Sequence, residues 1–272
     1  MQRGKPYNRN SSIRSCPLPW RRREWALRGI DPVPHSWNMG DFMTEYDGLK
    51  KRNLMGYYST PIESGRRQRV LKANGGLQLS FFEGRITGRE DPFFITTLYI
   101  SINMPGKPVP IGYMKWHIFD SQGEWVSADD FYSICDRETQ ALCNLAAAIT
   151  GAHQINVGEM FIGGTFAELD RIELRETYLG KGYGAAAIRS FIARSLSRRR
   201  VHTIFMKPFP LQCEGAAPVG DANPSAFAAY KEYADQATKS LSEYYQRTLG
   251  ARPLNKRSDY LYVSLEKVLA IR

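Results

Sequence analysis

Hydrophobic and polar positions along the chain fall into two regimes, with the change near residue 75. Before it, no helical or alternating period lasts beyond one turn around 22–28. After it, runs rich in β-branched and aromatic residues predict strands at Gly76–Gly84 (GLQLSFFEG), Phe93–Ile102 (FFITTLYISI) and Pro110–Asp120 (PIGYMKWHIFD). The turn Met104-Pro105-Gly106-Lys107-Pro108 makes the last two a hairpin. A helix follows from about Ser127 to Thr150, capped by Ser127, with Asp129 and Asp130 in its first turn and Gly151 at its end. Its stripe of Phe131, Ile134, Cys135, Leu142, Leu145, Ala146 and Ile149 reads as core packing.

The middle of the chain carries the candidate chemistry. Phe166–Leu174 reads as a strand with apolar Leu169, Ile172 and Leu174, followed by Gly180, Gly182 and Gly184 alternating with Lys181 and Tyr183. Behind the glycines, Ile188, Phe191, Ile192 and Leu196 recur at the spacing of one buried helix face. A helix that starts directly after glycines offers free N–H groups and the positive end of its dipole, so a phosphate is the expected guest. His202–Met206 is the next strand, parallel to the first by a crossover, and Lys207-Pro208-Phe209-Pro210 ends its pairing. The notch this leaves at the carboxyl ends of the strands is where open α/β sheets favour ligands. Asn223-Pro224 opens a long helix that Gly250 ends, and Tyr260–Leu265 closes the chain as a strand.

Several guests fit a glycine turn. The P-loop pattern fails, because no Ser or Thr follows Lys181. Gly180, Gly182 and Ala185 match G-x-G-x-x-G/A, but no Asp or Glu occurs from Thr177 to Cys213 to hold a dinucleotide's ribose. A plain glycine joint between strand and helix is the bland alternative. The third reading is a resemblance. Leu179-Gly180-Lys181-Gly182-Tyr183-Gly184, with Ala185 behind, resembles the pyrophosphate loop of the GNAT superfamily of N-acetyltransferases, Q/R-x-x-G-x-G/A, with Leu179 at the usual Gln or Arg.

The element order over 76–272 is similar to the GNAT fold, an α/β mixed sheet, mostly antiparallel, with one splayed parallel pair and flanking helices. The resemblance implies acetyl-CoA as co-substrate. Its phosphates would rest on Leu179–Ala185 and its pantetheine arm would pair with the fourth strand near Leu174. It also implies direct transfer to a primary amine, with a base to remove the ammonium proton, an N–H donor for the oxyanion and an acid for the thiolate. The family's base position, eleven residues before the Gln/Arg position, falls on Glu168. Glu173 is a second carboxylate, which alternation places on the opposite face. The family's acid, a tyrosine four residues before the helix-ending glycine, has Tyr245 and Tyr244 near it, five and six before Gly250.

Other features depart from the family. Only Arg85 to Pro92 separates the first two strands, where the family has two helices, and the helix at 127–150 is inserted instead. The acceptor pocket then involves that helix and the N-terminal arm, with Asp120, Glu124, Asp129, Asp130 and Asp136 to attract a cationic amine or simply to lie in solvent.

Composition narrows the class. The chain has 272 residues, 43% of them hydrophobic, and a net charge of +10. No apolar stretch approaches the roughly 20 residues of a membrane span, and no secretory h-region is visible. The four cysteines, Cys16, Cys135, Cys143 and Cys213, are dispersed, as in a reducing cytosol, and the scattered histidines argue for no metal site. Residues 1–75 interleave basic clusters with Trp20, Trp25, Trp37, Tyr46, Tyr57 and Tyr58. That mixture suits RNA, or a strap over the main domain. The sequence therefore leaves open a small-molecule or protein amine, an aminoacyl-tRNA, and a non-catalytic nucleic-acid-binding or regulatory module on the same fold. A homodimer is open too.

Overall fold

The structure is a computed structural model that describes residues 69–87, 91–121, 124–152, 155–210, 224–256 and 258–271. The aromatic and basic arm up to residue 68, Cys16, Cys213 and the Asn223 cap lie outside the described residues.

Eight strands form one mixed sheet in the order β1-β2-β3-β4-β5-β6-β8-β7. They are β1 (Arg69–Lys72), β2 (Gln78–Arg85), β3 (Phe94–Asn103), β4 (Gly112–Asp120), β5 (Thr165–Leu174), β6 (Val201–Met206), β7 (Arg252–Pro253) and β8 (Leu261–Ser264). All neighbours are antiparallel except β5 and β6. This is the α/β architecture that the resemblance implies.

Alternation along the strands sorts the core into two layers. Leu98, Ile100, Met114, Trp116, Ala167, Leu169, Ile204 and Val263 face one way. There they meet Ala187, Ile188 and Phe191 of helix α4 (Tyr183–Phe191), and Tyr245 and Leu249 of α5 (Pro224–Leu249). Ile95, Phe119, Phe166 and Phe205 face the other way, against Phe131, Leu145 and Phe161 of α1 (Ala128–Glu138), α2 (Gln140–Thr150) and α3 (Val157–Ile162). Phe119 stacks on Phe166 with ring centres 4.4 Å apart, and Phe93, Phe131 and Phe161 close around them.

The structure corrects the helix read at 127–150. It breaks at Thr139, whose backbone is extended (φ −154°, ψ 153°) and whose hydroxyl accepts from the Leu142 amide, ending α1 and capping α2. Three further elements were not predicted: α3, the two-residue β7 and a terminal helix α6 (Leu265–Ala270). The first strand of the sheet, β1, precedes Gly76. Helix α4 continues as one π turn over Ile192–Leu196 before β6.

Candidate functional site at the end of the parallel pair

β5 outruns β6. Their pairing ends at Leu169↔Met206, where Lys207 and two prolines, Pro208 and Pro210, take over from β6. On its other side β5 stays paired with β4 as far as Leu174↔Gly112. Thr165–Leu169 are buried and Asp170–Leu174 are only half-buried, so exposure rises where β6 stops. Among the described residues no strand covers this edge of β5. The expected notch is present, and Leu174, read as a pantetheine partner, stands at its far end.

The glycine turn lies beside it. Gly180 (φ 70°) and Gly182 (φ 78°) have left-handed backbone, which costs other residues roughly 1–2 kcal/mol. A Cβ built on either would meet no atom within 4 Å. Gly182 caps α4 without any side-chain hydrogen bond, and of the first-turn amides that of Ala185 is met by the Tyr244 hydroxyl. Gly184 sets the helix against the strand: its Cβ would lie 3.4 Å from the Tyr244 hydroxyl and 3.6 Å from Leu174 Cδ1. Lys181 donates from Nζ to the Thr177 carbonyl at 2.6 Å, and Leu179 is exposed. Tyr183 is half-buried, with its ring edge against Tyr178. An open, positively polarised turn with no side chain of its own at the cap fits a phosphate group.

Glu168 lies one rung inside the end of the parallel pair, opposite Phe205 on β6 and His117 on β4. It is 2% exposed, and its Oε2 has no hydrogen-bond partner among the described residues. Desolvation first, then the charge of Asp170, raises its pKa well above the ordinary carboxylate range, against the pull of Lys115 and Lys207. A buried bare carboxylate costs several kcal/mol, whereas keeping a proton costs about 1.4 kcal/mol per pH unit. Burial therefore favours the protonated form of Glu168. Asp170 behaves in the opposite way. Burial pushes its pKa up, but Lys115, His117 and Arg171 outweigh that and bring it down. Its Oδ2 accepts from Lys115 Nζ and Arg171 Nε, each at 3.2 Å. Two neighbouring carboxyls are thus driven apart, as acid–base sites require.

A bulge creates this pair. Trp116 pairs with Leu169 and Lys115 with Arg171, so Asp170 is the extra residue on β5. The inserted residue reverses the alternation, and Glu173, opposite Tyr113, comes to the same face as Glu168 rather than the opposite one. The signal was in the sequence: Leu169 to Ile172 is a step of three in a strand whose apolar residues should recur every two.

Of the tyrosines read as acids, Tyr245 is 3% exposed within the apolar layer under α5. Tyr244 is half-buried, and its hydroxyl reaches the first turn of α4, beside Gly184 and the Ala185 amide. Burial raises both phenols' pKa values; the Ala185 amide partly offsets this for Tyr244. The structure therefore brings Tyr244, Leu174 and the glycine turn together and leaves Tyr245 in the core. Glu124, Asp129, Asp130 and Asp136 are exposed and Asp120 half-buried. Asp130 belongs to the helix start, where its amide donates to Ser127 Oγ. Sequence reasoning missed His117, Thr97, Lys115 and Tyr260, which surround Glu168 or its neighbours.

No protein-family model matches the chain, and no curated protein matches it. A solved structure described as AtaTR bound with AcCoA is similar at 12% identity and a TM-score of 0.32, over 64% of this chain and 70% of that one. A likeness that low carries no argument, and the site rests on its own geometry. Among the described residues, no three His, Cys, Asp or Glu side chains gather as a metal site, and no helix is long and apolar enough to cross a membrane.

Proposed function

We propose that the chain is an acetyl-CoA-dependent N-acetyltransferase acting on a primary amine. One arrangement supports the reading: the uncovered edge of β5 begins just past the buried carboxyl of Glu168 and runs to Leu174, beside the open glycine turn of α4. The co-substrate supplies an acetyl thioester, an acyl group already attached to a good leaving group. The amides of Gly182, Tyr183 and Gly184 hold its phosphates, and the free edge of Asp170–Leu174 takes its amide-bearing arm as an added strand. An ammonium has no lone pair. Glu168, once ionised, removes its proton, and the proton affinity that burial raises suits it to base work. Tyr244, at the turn, orients the bound phosphates.

Isothermal titration with acetyl-CoA, and with NAD and ATP as controls, tests this. Selective binding of acetyl-CoA that is lost in Gly182→Glu, with the unfolding transition unchanged, is the expected result. Binding that survives the substitution, or no binding by the wild type, overturns the reading. Glu168→Gln should bind acetyl-CoA as the wild type does.

A further inference from the structure

Lys115, Arg171, Lys181 and Lys207 border the end of the parallel pair, and all but one are engaged. Lys115 and Arg171 both hold Asp170, each at 3.2 Å. Lys181 donates to the Thr177 carbonyl on the exposed glycine turn. Lys207, the first residue after β6, is half-buried. Its Nζ lies 5.7 Å from the centre of the Tyr260 ring, and among the described residues it has neither an ion pair nor a hydrogen-bond acceptor.

The backbone decides where this ammonium stands. Met206 pairs with Leu169 on one side and Leu261 on the other, so the strand is pinned up to the residue before Lys207. Pro208 follows, and a residue before proline favours extended backbone. The Phe209 amide then donates to the Lys207 carbonyl at 2.8 Å and closes the turn. Extended backbone continues the alternation of β6 and puts Lys207 on the face of Phe205, two residues back. Phe205 is the register partner of Glu168. Lys207 and Glu168 are therefore diagonal neighbours on one face, about 8 Å apart at Cα. Two further observations agree. Tyr260 belongs to the cluster on that face. Burial raises the Glu168 pKa, and Lys115 and then Lys207 pull against it.

On the proposed reading the acceptor reaches this face as an ammonium, because Glu168 is there to take its proton. A bare alkylammonium would add a positive charge beside Lys207 and Lys115, and like charges repel strongly in a partly buried site. An acceptor that also carries a carboxylate removes the difficulty. The carboxylate meets Lys207, which has three N–H donors to offer, while the amine turns to Glu168. The spacing of the two side chains matches the two ends of one small zwitterion. The acyl arm is placed elsewhere: paired to the edge of β5 it lies in the plane of the sheet, and Lys207 stands out of that plane.

We propose that Lys207 is the carboxylate-binding residue of the acceptor site, so that the acceptor is an amino acid rather than a bare amine or a lysine side chain of a protein. Lys207 forms no covalent bond in the transfer. It selects which amine is held with its nitrogen at Glu168.

The proposal rests on Glu168 marking the acceptor side, and its test reads binding rather than turnover. Full-length wild type, Lys207→Met, Lys207→Gln and Lys207→Arg are titrated calorimetrically, with and without CoA. The probes are glycine, β-alanine, 4-aminobutyrate and the primary amide of each, which keeps the amine and loses the anion. At least one amino acid should bind the wild type about tenfold or more tighter than its amide. The preference should vanish in Lys207→Met and persist in Lys207→Arg, and Lys207→Gln repeats the first comparison if the Met variant fails to fold. Equal affinities for acid and amide overturn the proposal, as does a preference that survives both neutral substitutions or the failure of every probe to bind. A Lys207-dependent preference for succinyl-CoA over acetyl-CoA also overturns it, by assigning the cation to the acyl group. Acetyl-CoA binding is measured separately on the same proteins. Its absence defeats the acetyltransferase reading and leaves a Lys207-dependent carboxylate preference standing. A missing preference with acetyl-CoA still bound defeats the Lys207 assignment alone.

Discussion

The two faces of the central sheet are built on different principles. Under α4 and α5 the buried side chains contributed by β3, β4, β5 and β6 are apolar except Thr165, and Phe191 sits on Trp116 and Phe81 with ring centres 5.3 and 5.9 Å away. Under α1 to α3 an equally tight aromatic cluster gives way, within one rung, to a threonine, a histidine and a glutamic acid. Between the strands and these helices the first face is packed for stability. The second gives up burial energy to keep titratable groups dry, which is how a site acquires shifted proton affinities.

The widest contrast should come from truncating each face in turn. Phe191→Ala removes a fully buried ring and should cost about 3–5 kcal/mol in denaturant unfolding. Glu168→Leu, at matched solvent exposure, should unfold at or above the wild-type denaturant midpoint, because an unpartnered carboxyl gives way to an apolar side chain. Equal losses from the two substitutions would erase the distinction.

The pH dependence of stability sharpens it further. Glu168 has a folded-state pKa raised above its ordinary 4.5, so its contribution is full below that pH and declines as pH rises toward the folded value. His117 is brought down from 6.5 to about 4, by burial first and then by Lys115, so its contribution grows as pH rises from about 4 to 6.5. Each limb is worth up to about 1.4 kcal/mol per pH unit. Between pH 4.5 and 6.5 the two oppose each other. Replacing His117 with Gln should expose the falling limb, and Glu168→Gln the rising one. Stability curves of the two variants that run parallel would show that neither group titrates as described.

The smallest effect belongs to the cover of the polar face. Thr139→Ala removes the hydroxyl that caps α2 and should cost about 1 kcal/mol, seen as a small fall in Tm with the Glu168 midpoint unmoved.

Much of this was legible beforehand. The glycine turn, the parallel pair and the prolines that end it are short-range signals, whereas Glu168 was reached only through what the GNAT resemblance implies. The break at Thr139 was silent, because Cys135 and Leu142 are seven residues apart and two full turns keep the stripe in phase across the interruption. Thr97 and His117 were hidden for another reason. Each reads as one polar residue in a good strand, and only the register of three strands shows that they face each other and Glu168. Tyr245 was chosen by its distance from Gly250, but on a helix one residue turns a side chain by about 100°, and Tyr244 is the one aimed at the turn.

The prolines after β6 carry a consequence for kinetics. Extending β6 along Asp170–Leu174 would require amide donors from Lys207 onward, and Pro208 and Pro210 have none. β6 has no zipped state that a ligand must first pull open. Association should then be limited by encounter, with an observed rate that climbs linearly with ligand concentration and shows no plateau from a preceding conformational step.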